Sequence, residues 1–265
     1  MKKTIIRLLY ICLLFFSSCR SQPLIIEGDI ILATANLFAG NGESKFVVTQ
    51  SLLEQNADIL VLHEAGEWNV DFGLLEEAGY SVYGFDSTSR AFQAVIASRI
   101  PCEEDQLSVE YPTMSIDPFI VPLASCHLSV DGHEVAILGV HIPPPIFFSG
   151  EVREHGFNLL DDMVDSGRIV GGPEFPHGDE IVILAGDFNT FPSDRLFKKI
   201  SGSGLSDTFM ANNNRYDFTW GPEGFSPMAR IDYIYVSEEV ETVFQTSFEI
   251  PGSDHRGVIA GVNIR

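Results

Sequence analysis

Ile181-Val182-Ile183-Leu184-Ala185-Gly186-Asp187-Phe188-Asn189 opens as an apolar run and closes on an acid and an amide. The run reads as a buried strand. Side chains two apart on a strand point the same way, so Asp187 and Asn189 are expected side by side at the rim of a sheet. Gly186 lets a neighbour approach the backbone closely. An Asp at the end of a buried strand loses hydration unless it is paired or coordinated. The pair therefore points to chemistry rather than to stability alone.

Other stretches repeat the design. Ile59-Leu60-Val61-Leu62-His63-Glu64 is an apolar strand ending in a carboxylate, and Ile31-Leu32-Ala33-Thr34-Ala35-Asn36 ends in an amide. Arg230-Ile231-Asp232-Tyr233-Ile234-Tyr235-Val236 starts on charged residues, and Gly252-Ser253-Asp254-His255 precedes the apolar run Gly257–Val262. Strand after strand is expected to deliver acids, amides and His to one edge.

In this order the motifs resemble the endonuclease/exonuclease/phosphatase family, the DNase I-like group of divalent-metal phosphohydrolases, over roughly residues 28 to 264. The resemblance matches Asn36 to the family's first amide, Glu64 to its metal-binding glutamate, and His141 to its central histidine. It matches Asp187 and Asn189 to the GDFN pair, Asp232 to the aspartate of an RIDY-like strand, and Asp254-His255 to the terminal SDH. It implies an α+β fold, a four-layer αββα sandwich of two mixed sheets flanked by helices.

The 265 residues suffice for one large domain, and 45% hydrophobic content argues against disorder. No internal repeat is visible. Residues 1–18 read as a signal peptide: Lys2, Lys3 and Arg7 precede a short apolar core from Leu8 to Phe16. That core is too short to span a bilayer. Small residues before Cys19 resemble a lipoprotein signal, with an ordinary cleaved signal as the alternative. Cys19 would carry the lipid, residues 19–26 would form a tether, and residues 27–265 the domain. The expected location is the bacterial cell envelope, exported and lipid-anchored, with a monomeric domain. Cys102 and Cys126 form either one disulfide or two buried thiols. The formal charge of −21 disfavours tight nonspecific binding of polyanions, and no Lys/Arg run or basic stripe offsets it.

Strands are expected near 28–36, 58–64, 80–85, 92–98, 119–128, 134–141, 180–187, 230–236, 241–248 and 255–263. Helices are expected over 46–55, with Phe46, Val47, Leu52 and Leu53 as its apolar positions, and over 70–78, 151–165 and 193–200. Hairpins should dominate. The loops 168–179 and 211–229 are polar and rich in breakers, which suits variable rims.

Phosphoester hydrolysis requires a neutralised phosphate, an activated water and a stabilised leaving oxygen. Mg²⁺, or Mn²⁺ with the same oxygen ligands, meets the first and third needs. Glu64 is the first expected ligand, with Asn36 beside it and Asp254 as partner. His255 is the expected general base, since a neutral imidazole titrates near neutrality. The resemblance implies Asp232 as the acceptor that fixes its tautomer; the blander reading is that Asp232 only pairs with Arg230. Asp187 would orient the water or assist the leaving group. Asn189 and His141 would contact phosphate oxygens, and Arg99 is a further candidate for such contact. His63 is expected on the other strand face from Glu64, in a structural role, and Trp220 in core or loop packing.

The function expected is hydrolysis of a phosphodiester or phosphomonoester, with nuclease and lipid phosphodiesterase both open. An inositol-polyphosphate phosphatase is disfavoured: that branch carries Pro-Ala-Trp-Cys-Asp-Arg where this chain has Ser226-Pro227-Met228-Ala229-Arg230-Ile231-Asp232. The alternative is a non-catalytic, membrane-tethered binding lipoprotein of the same fold.

Overall fold

The computed structural model describes residues 28–84, 94–111, 119–144, 154, 158, 181–194, 197–202, 204–211, 217–222 and 225–265. The expected signal peptide, the Cys19 expected to carry lipid and the whole tether lie outside these residues. So does the helix expected over 151–165, apart from Glu154 and Asn158, which are helical.

In chain order the strands are β1 (Ile30–Asn36), β2 (Ile59–His63), β3 (Ser81–Tyr83), β4 (Ala94–Ser98), β5 (Glu103–Tyr111), β6 (Phe119–Val130), β7 (His133–His141), β8 (Ile181–Asp187), β9 (Ser206–Asp207), β10 (Asp232–Val236), β11 (Val240–Glu249) and β12 (Arg256–Ile264). The helices are α1 (Lys45–Leu53), α2 (Phe72–Glu77), α3 (Phe197–Gly202) and α4 (Thr208–Ala211). One sheet has the order β11-β12-β1-β2-β4-β3 and the other β5-β6-β7-β8-β10-β9. Each is mixed: β1 and β2 run parallel, as do β7 and β8, and the other pairings are antiparallel.

The period-two pattern explains the layering. Ile30 and Leu32 of β1, Ile59 and Val61 of β2, Ile137 of β7, and Ile183 and Ala185 of β8 all enter one core between the sheets. The opposite face of the first sheet, with Ala33, Leu60 and Leu62, packs on Val48 and Leu52 of α1 and Leu75 of α2. The opposite face of the second, with Leu138, Leu184 and Tyr235, packs on Ile200 of α3. The result is the expected α+β sandwich. No helix among the described residues is long and apolar enough to cross a membrane.

Several expectations change in detail. The buried face of α1 is Val48, Thr49 and Leu52, while Phe46 and Val47 are exposed. Strands β5 and β9 and helix α4 were not foreseen; β5 reads Glu-Glu-Asp-Gln at its start and β9 is only two residues long. Cys102 and Cys126 are joined as a disulfide between the start of β5 and β6. Arg230 does not pair with Asp232. Its Nη2 lies 2.7 Å from Asp207 Oδ2, and its guanidinium covers the rings of Phe209 and Tyr233.

Candidate active site

The two parallel strand pairs end at the same end of the sandwich. On the first sheet Asn36 stands opposite His63, and on the second His141 stands opposite Asp187. All four are buried inner-face residues. Asn36 Nδ2 donates to Asp187 Oδ2 at 3.0 Å and to Glu64 Oε1 at 3.3 Å, so one amide links the sheets and holds two carboxylates. Its Oδ1 accepts from the Phe38 N–H at 3.0 Å. Asn36 thus bridges the two acids through its amide nitrogen, and its Oδ1 keeps a second lone pair beside Glu64.

Glu64 reaches the site by an unexpected route. Simple alternation puts it on the face opposite His63, and His63 does point inward. Yet Glu64 lies past the end of β2 at φ 52°, a left-handed conformation that turns its side chain back toward the inner edge. Buried Asn69 secures this turn: it donates to the Glu64 carbonyl at 2.9 Å and accepts from the Gly66 N–H at 2.9 Å. Glu64 Oε2 accepts from Ala39 N–H at 2.7 Å. Its Oε1 lies 3.8 Å from His141 Nε2, which is also 3.7 Å from Asp187 Oδ2.

Asp187 and Asn189 meet as expected, though for a different reason. The strand stops at Asp187, and Asn189 folds back at φ 46°. Its Nδ2 then donates to Asp187 Oδ2 at 3.0 Å and to the Ile142 carbonyl at 2.9 Å, while its N–H donates to Asp187 Oδ1 at 2.8 Å. The close approach at Gly186 is the next strand and the next ring: any Cβ there would run into the Val140 carbonyl oxygen and the His63 imidazole. His63 itself is fully buried, shares a hydrogen bond with the Thr34 hydroxyl at 3.1 Å, and sits edge-on to His141. Burial, then the neighbouring His141 and His255, hold its pKa well below the usual histidine value, so it is a neutral wall of the site.

His255 and Asp232 form the expected pair. Asp232 Oδ2 lies 2.9 Å from His255 Nδ1, and the imidazole Nε2 faces Asp187 Oδ2 at 3.8 Å. Asp232 and Asp187 stand opposite each other in the β8–β10 register. Thr219, which sequence reading passed over, and Trp220, expected only to pack, brace the segments around this pair. The Thr219 hydroxyl accepts from the N–H groups of Ile231 and Asp232, at 3.1 and 3.2 Å, and its carbonyl accepts from Arg256 N–H. Trp220 Nε1 donates to Asp254 Oδ2 at 3.0 Å. Ser253 closes the frame, donating to the Asn36 carbonyl at 2.8 Å and accepting from His255 N–H at 3.0 Å. The signal for Thr219 and Trp220 was their place in the 211–229 loop just ahead of Arg230, but neither carries the charge that draws attention.

The charge state of His255 departs from expectation. Burial alone would lower its pKa, but Asp232 and Asp187 outweigh burial and raise it to about 10. Burial and then the Asp232 charge push Asp187 up to about 8, against the pull of His255. The two carboxylates favour a charged imidazole, and Asp187 and His255 titrate as a linked pair.

The donor set suits a hard divalent cation. The carboxylates of Glu64 and Asp187 converge on Asn36 and His141, and Asp232 Oδ1 and Asp254 Oδ1 are buried without a partner. Among the described residues one compact trio has ligand atoms within 4.8 Å of one another: Asp187, Asp232 and His255. Its His255–Asp232 edge is already a hydrogen bond, and neither Glu64 nor Asp254 belongs to it.

Arg99 is not part of the site. It follows Ser98, which pairs with Ile59 at the start of β2, whereas the site end of β4 is Ala94 opposite His63. It lies at the far end of the sheet, bonded to Asn56 Oδ1 at 2.9 Å and stacked over Tyr80.

Solved structures share this fold. A family protein from Leptotrichia buccalis C-1013-b aligns with TM-score 0.66 and 17% identity over 88% of this chain and 99% of its own. One from Bacteroides vulgatus gives 0.67 and 16%, covering 89% and 99%. D. rerio TDP2 complexed with single-strand DNA product gives 0.67 and 16%, covering 88% and 98%. No protein of curated function matches the chain significantly. The Endonuclease/Exonuclease/phosphatase family profile matches residues 33–255, from β1 to the His255 at the site, and the chain belongs to that family.

Proposed function

We propose that the protein is a divalent-metal-dependent hydrolase of phosphodiester or phosphomonoester bonds. The observation that carries this reading is the His255 Nδ1–Asp232 Oδ2 contact of 2.9 Å, with Nε2 aimed at Asp187 in a ring of Asn36, Glu64, His141 and Asn189. Glu64 and Asp187 would hold Mg²⁺ or Mn²⁺, with Asp254 as a further carboxylate; the cation supplies neutralisation of the phosphate and the leaving oxygen. Asp232 fixes the imidazole tautomer. Neutral His255 takes the proton of the attacking water on Nε2, the carboxylate pull that favours the imidazolium would weaken once Asp187 holds a cation, and His141 donates to a phosphate oxygen. Asn189 keeps Asp187 in place through both its N–H and its amide.

The zebrafish neighbour solved with single-strand DNA product makes nucleic acid one substrate class to test. The formal charge of −21 weighs against tight nonspecific hold on such a polyanion. Export and a lipid anchor at Cys19 belong to the same reading and are supported by the basic start, the short apolar core and the small residues before that Cys. A monomeric domain completes it.

The test is release of p-nitrophenol from bis-p-nitrophenyl phosphate and p-nitrophenyl phosphate, with EDTA, Mg²⁺ or Mn²⁺, by wild type and His255→Ala. Cation-dependent release that the variant loses is expected. No release, together with no cation-dependent rise in melting temperature, would sink the reading.

A further inference from the structure

A cleft of about 300 Å³ opens beside His255. Its walls come from Phe38 after β1, from Pro222, Phe225 and Pro227 in the loop ahead of Asp232, and from the β11–β12 connection. Phe225 is 72% exposed, the most exposed large apolar side chain among the described residues. A ring left in water on the wall of a cleft at a reaction centre gains stability only when something flat or apolar covers it.

Arg256 supplies a second, independent observation. It lines the same cleft and follows His255 directly. Its main chain is fixed by the N–H bond to the Thr219 carbonyl. Its guanidinium has no hydrogen-bond or ion-pair partner among the described residues, and Nε is buried without a partner. Glu249 stands opposite it in the β11–β12 register and still makes no ion pair with it. Arg99 also lacks a carboxylate, but its guanidinium bonds Asn56 Oδ1 and covers the Tyr80 ring. By contrast, Arg230 is paired with Asp207 and Arg265 with Glu241. A buried, unpaired donor is a group whose partner is elsewhere. A planar guanidinium matches the oxygens of a phosphate or a carboxylate, and beside the proposed hydrolytic site the phosphate is the ligand at hand.

We propose that this cleft binds the non-leaving side of an aryl phosphate ester, with Arg256 on a phosphate oxygen and Phe225 against the planar ring. The inference rests on the phosphohydrolase reading and narrows its substrate class. Pro222 and Pro227 complete an apolar wall of low conformational freedom, so the ring is received by a surface that needs little ordering. A short alkyl group leaves Phe225 uncovered and gains only the Arg256 contact.

Two diesters with one leaving group isolate the effect: bis-p-nitrophenyl phosphate and methyl p-nitrophenyl phosphate, assayed with the full chain in Mg²⁺ or Mn²⁺. The aryl diester should be favoured in kcat/KM by about tenfold or more, the scale of one stacked ring. Phe225→Ala should collapse that ratio through KM, and Arg256→Gln should raise KM for both. A ratio that Phe225→Ala leaves unaltered overturns the proposal while the hydrolase reading stands. If neither diester is turned over, calorimetric titration of phenyl phosphate and methyl phosphate decides separately. Tighter binding of phenyl phosphate, lost in both variants, supports the cleft even though the hydrolase reading falls. Equal binding of the two, or none, overturns the cleft as well.

Discussion

The sheet β11-β12-β1-β2-β4-β3 and the sheet β5-β6-β7-β8-β10-β9 repeat one plan. Each has a hairpin, then a parallel pair, then two antiparallel strands. At matching places the first sheet carries Asn36, His63 and Ala94, while the second carries His141, Asp187 and Asp232. The first sheet thus ends in neutral groups, with its acid, Glu64, one step beyond the ladder. The second ends in two opposed carboxylates that only an imidazolium or a cation can offset. The backbone plan places six side chains at one end of the core, and His255, which leads into β12 of the first sheet, brings the imidazole that faces both carboxylates of the second.

The sharpest way to break this comparison is where Asp187 of the second sheet meets His255 at the head of β12 in the first. Asp187→Asn and His255→Ala should each cut kcat by about 10²–10⁴, the range of a lost acid–base group. If they form one proton-handling unit, the double variant should lose little more than either single one. Additive losses in the double variant would separate the roles and restore His255 as an independent base. On the first sheet, Glu64→Gln should abolish the rise in melting temperature with Mg²⁺ or Mn²⁺. That rise corresponds to about 2.7 kcal/mol at a hundredfold excess over Kd. A rise that survives Glu64→Gln would move the anchor to the second sheet.

Thr219→Val tests the link between the sheets. It removes the acceptor for two buried N–H groups, at a cost of about 1–3 kcal/mol. It should also lower kcat more than it raises KM, because it releases Asp232 rather than substrate. A loss of stability with kcat intact would make Thr219 a purely structural residue.

Stability against pH reads the charge imbalance between the two sheets. His255 is raised from an ordinary 6.5 to about 10, so the native state holds a proton that the unfolded chain has released between those values. That contribution is complete below about 6.5 and lost as pH rises to about 10. Asp187, raised from 3.8 to about 8, acts in the same direction, its contribution being lost as pH rises between those two values. The melting temperature of the cation-free protein should fall as pH climbs through this window, and His255→Gln should flatten the fall. The smallest effect belongs to Arg99→Gln. It should leave kcat/KM within about twofold and cost at most about 1 kcal/mol, from a cation–π contact and one exposed hydrogen bond. A large loss of activity would return Arg99 to the site.

Much of this site was legible because strand periodicity and apolar runs are local. Asp187, Asp232 and His255 stand at ends of runs that any buried strand would show. What escaped notice had no local mark. Thr219 and Ser253 act through uncharged hydroxyls on backbone groups distant in sequence. Glu64 and Asn189 face the site because their residues adopt positive φ, which alternation cannot foresee. Arg99 misled because a strand's last residue says nothing about which end of the sheet it occupies. β4 runs antiparallel to β2, and that reverses the end.

By itself the sequence determined most of the strands, though not β5 or β9, together with the sandwich class and the identities of the acids, amides and histidines that end those strands, since each depends on contacts within a few residues. The tertiary structure alone decided which of those ends meet. It joined Cys102 to Cys126, turned Arg230 to Asp207, set two sheets of one plan against each other, and left the Arg256 guanidinium unpaired in its cleft. Those outcomes are set by pairing between strands far apart in the chain and by burial, which fixes charges whose values depend on every neighbour packed around them.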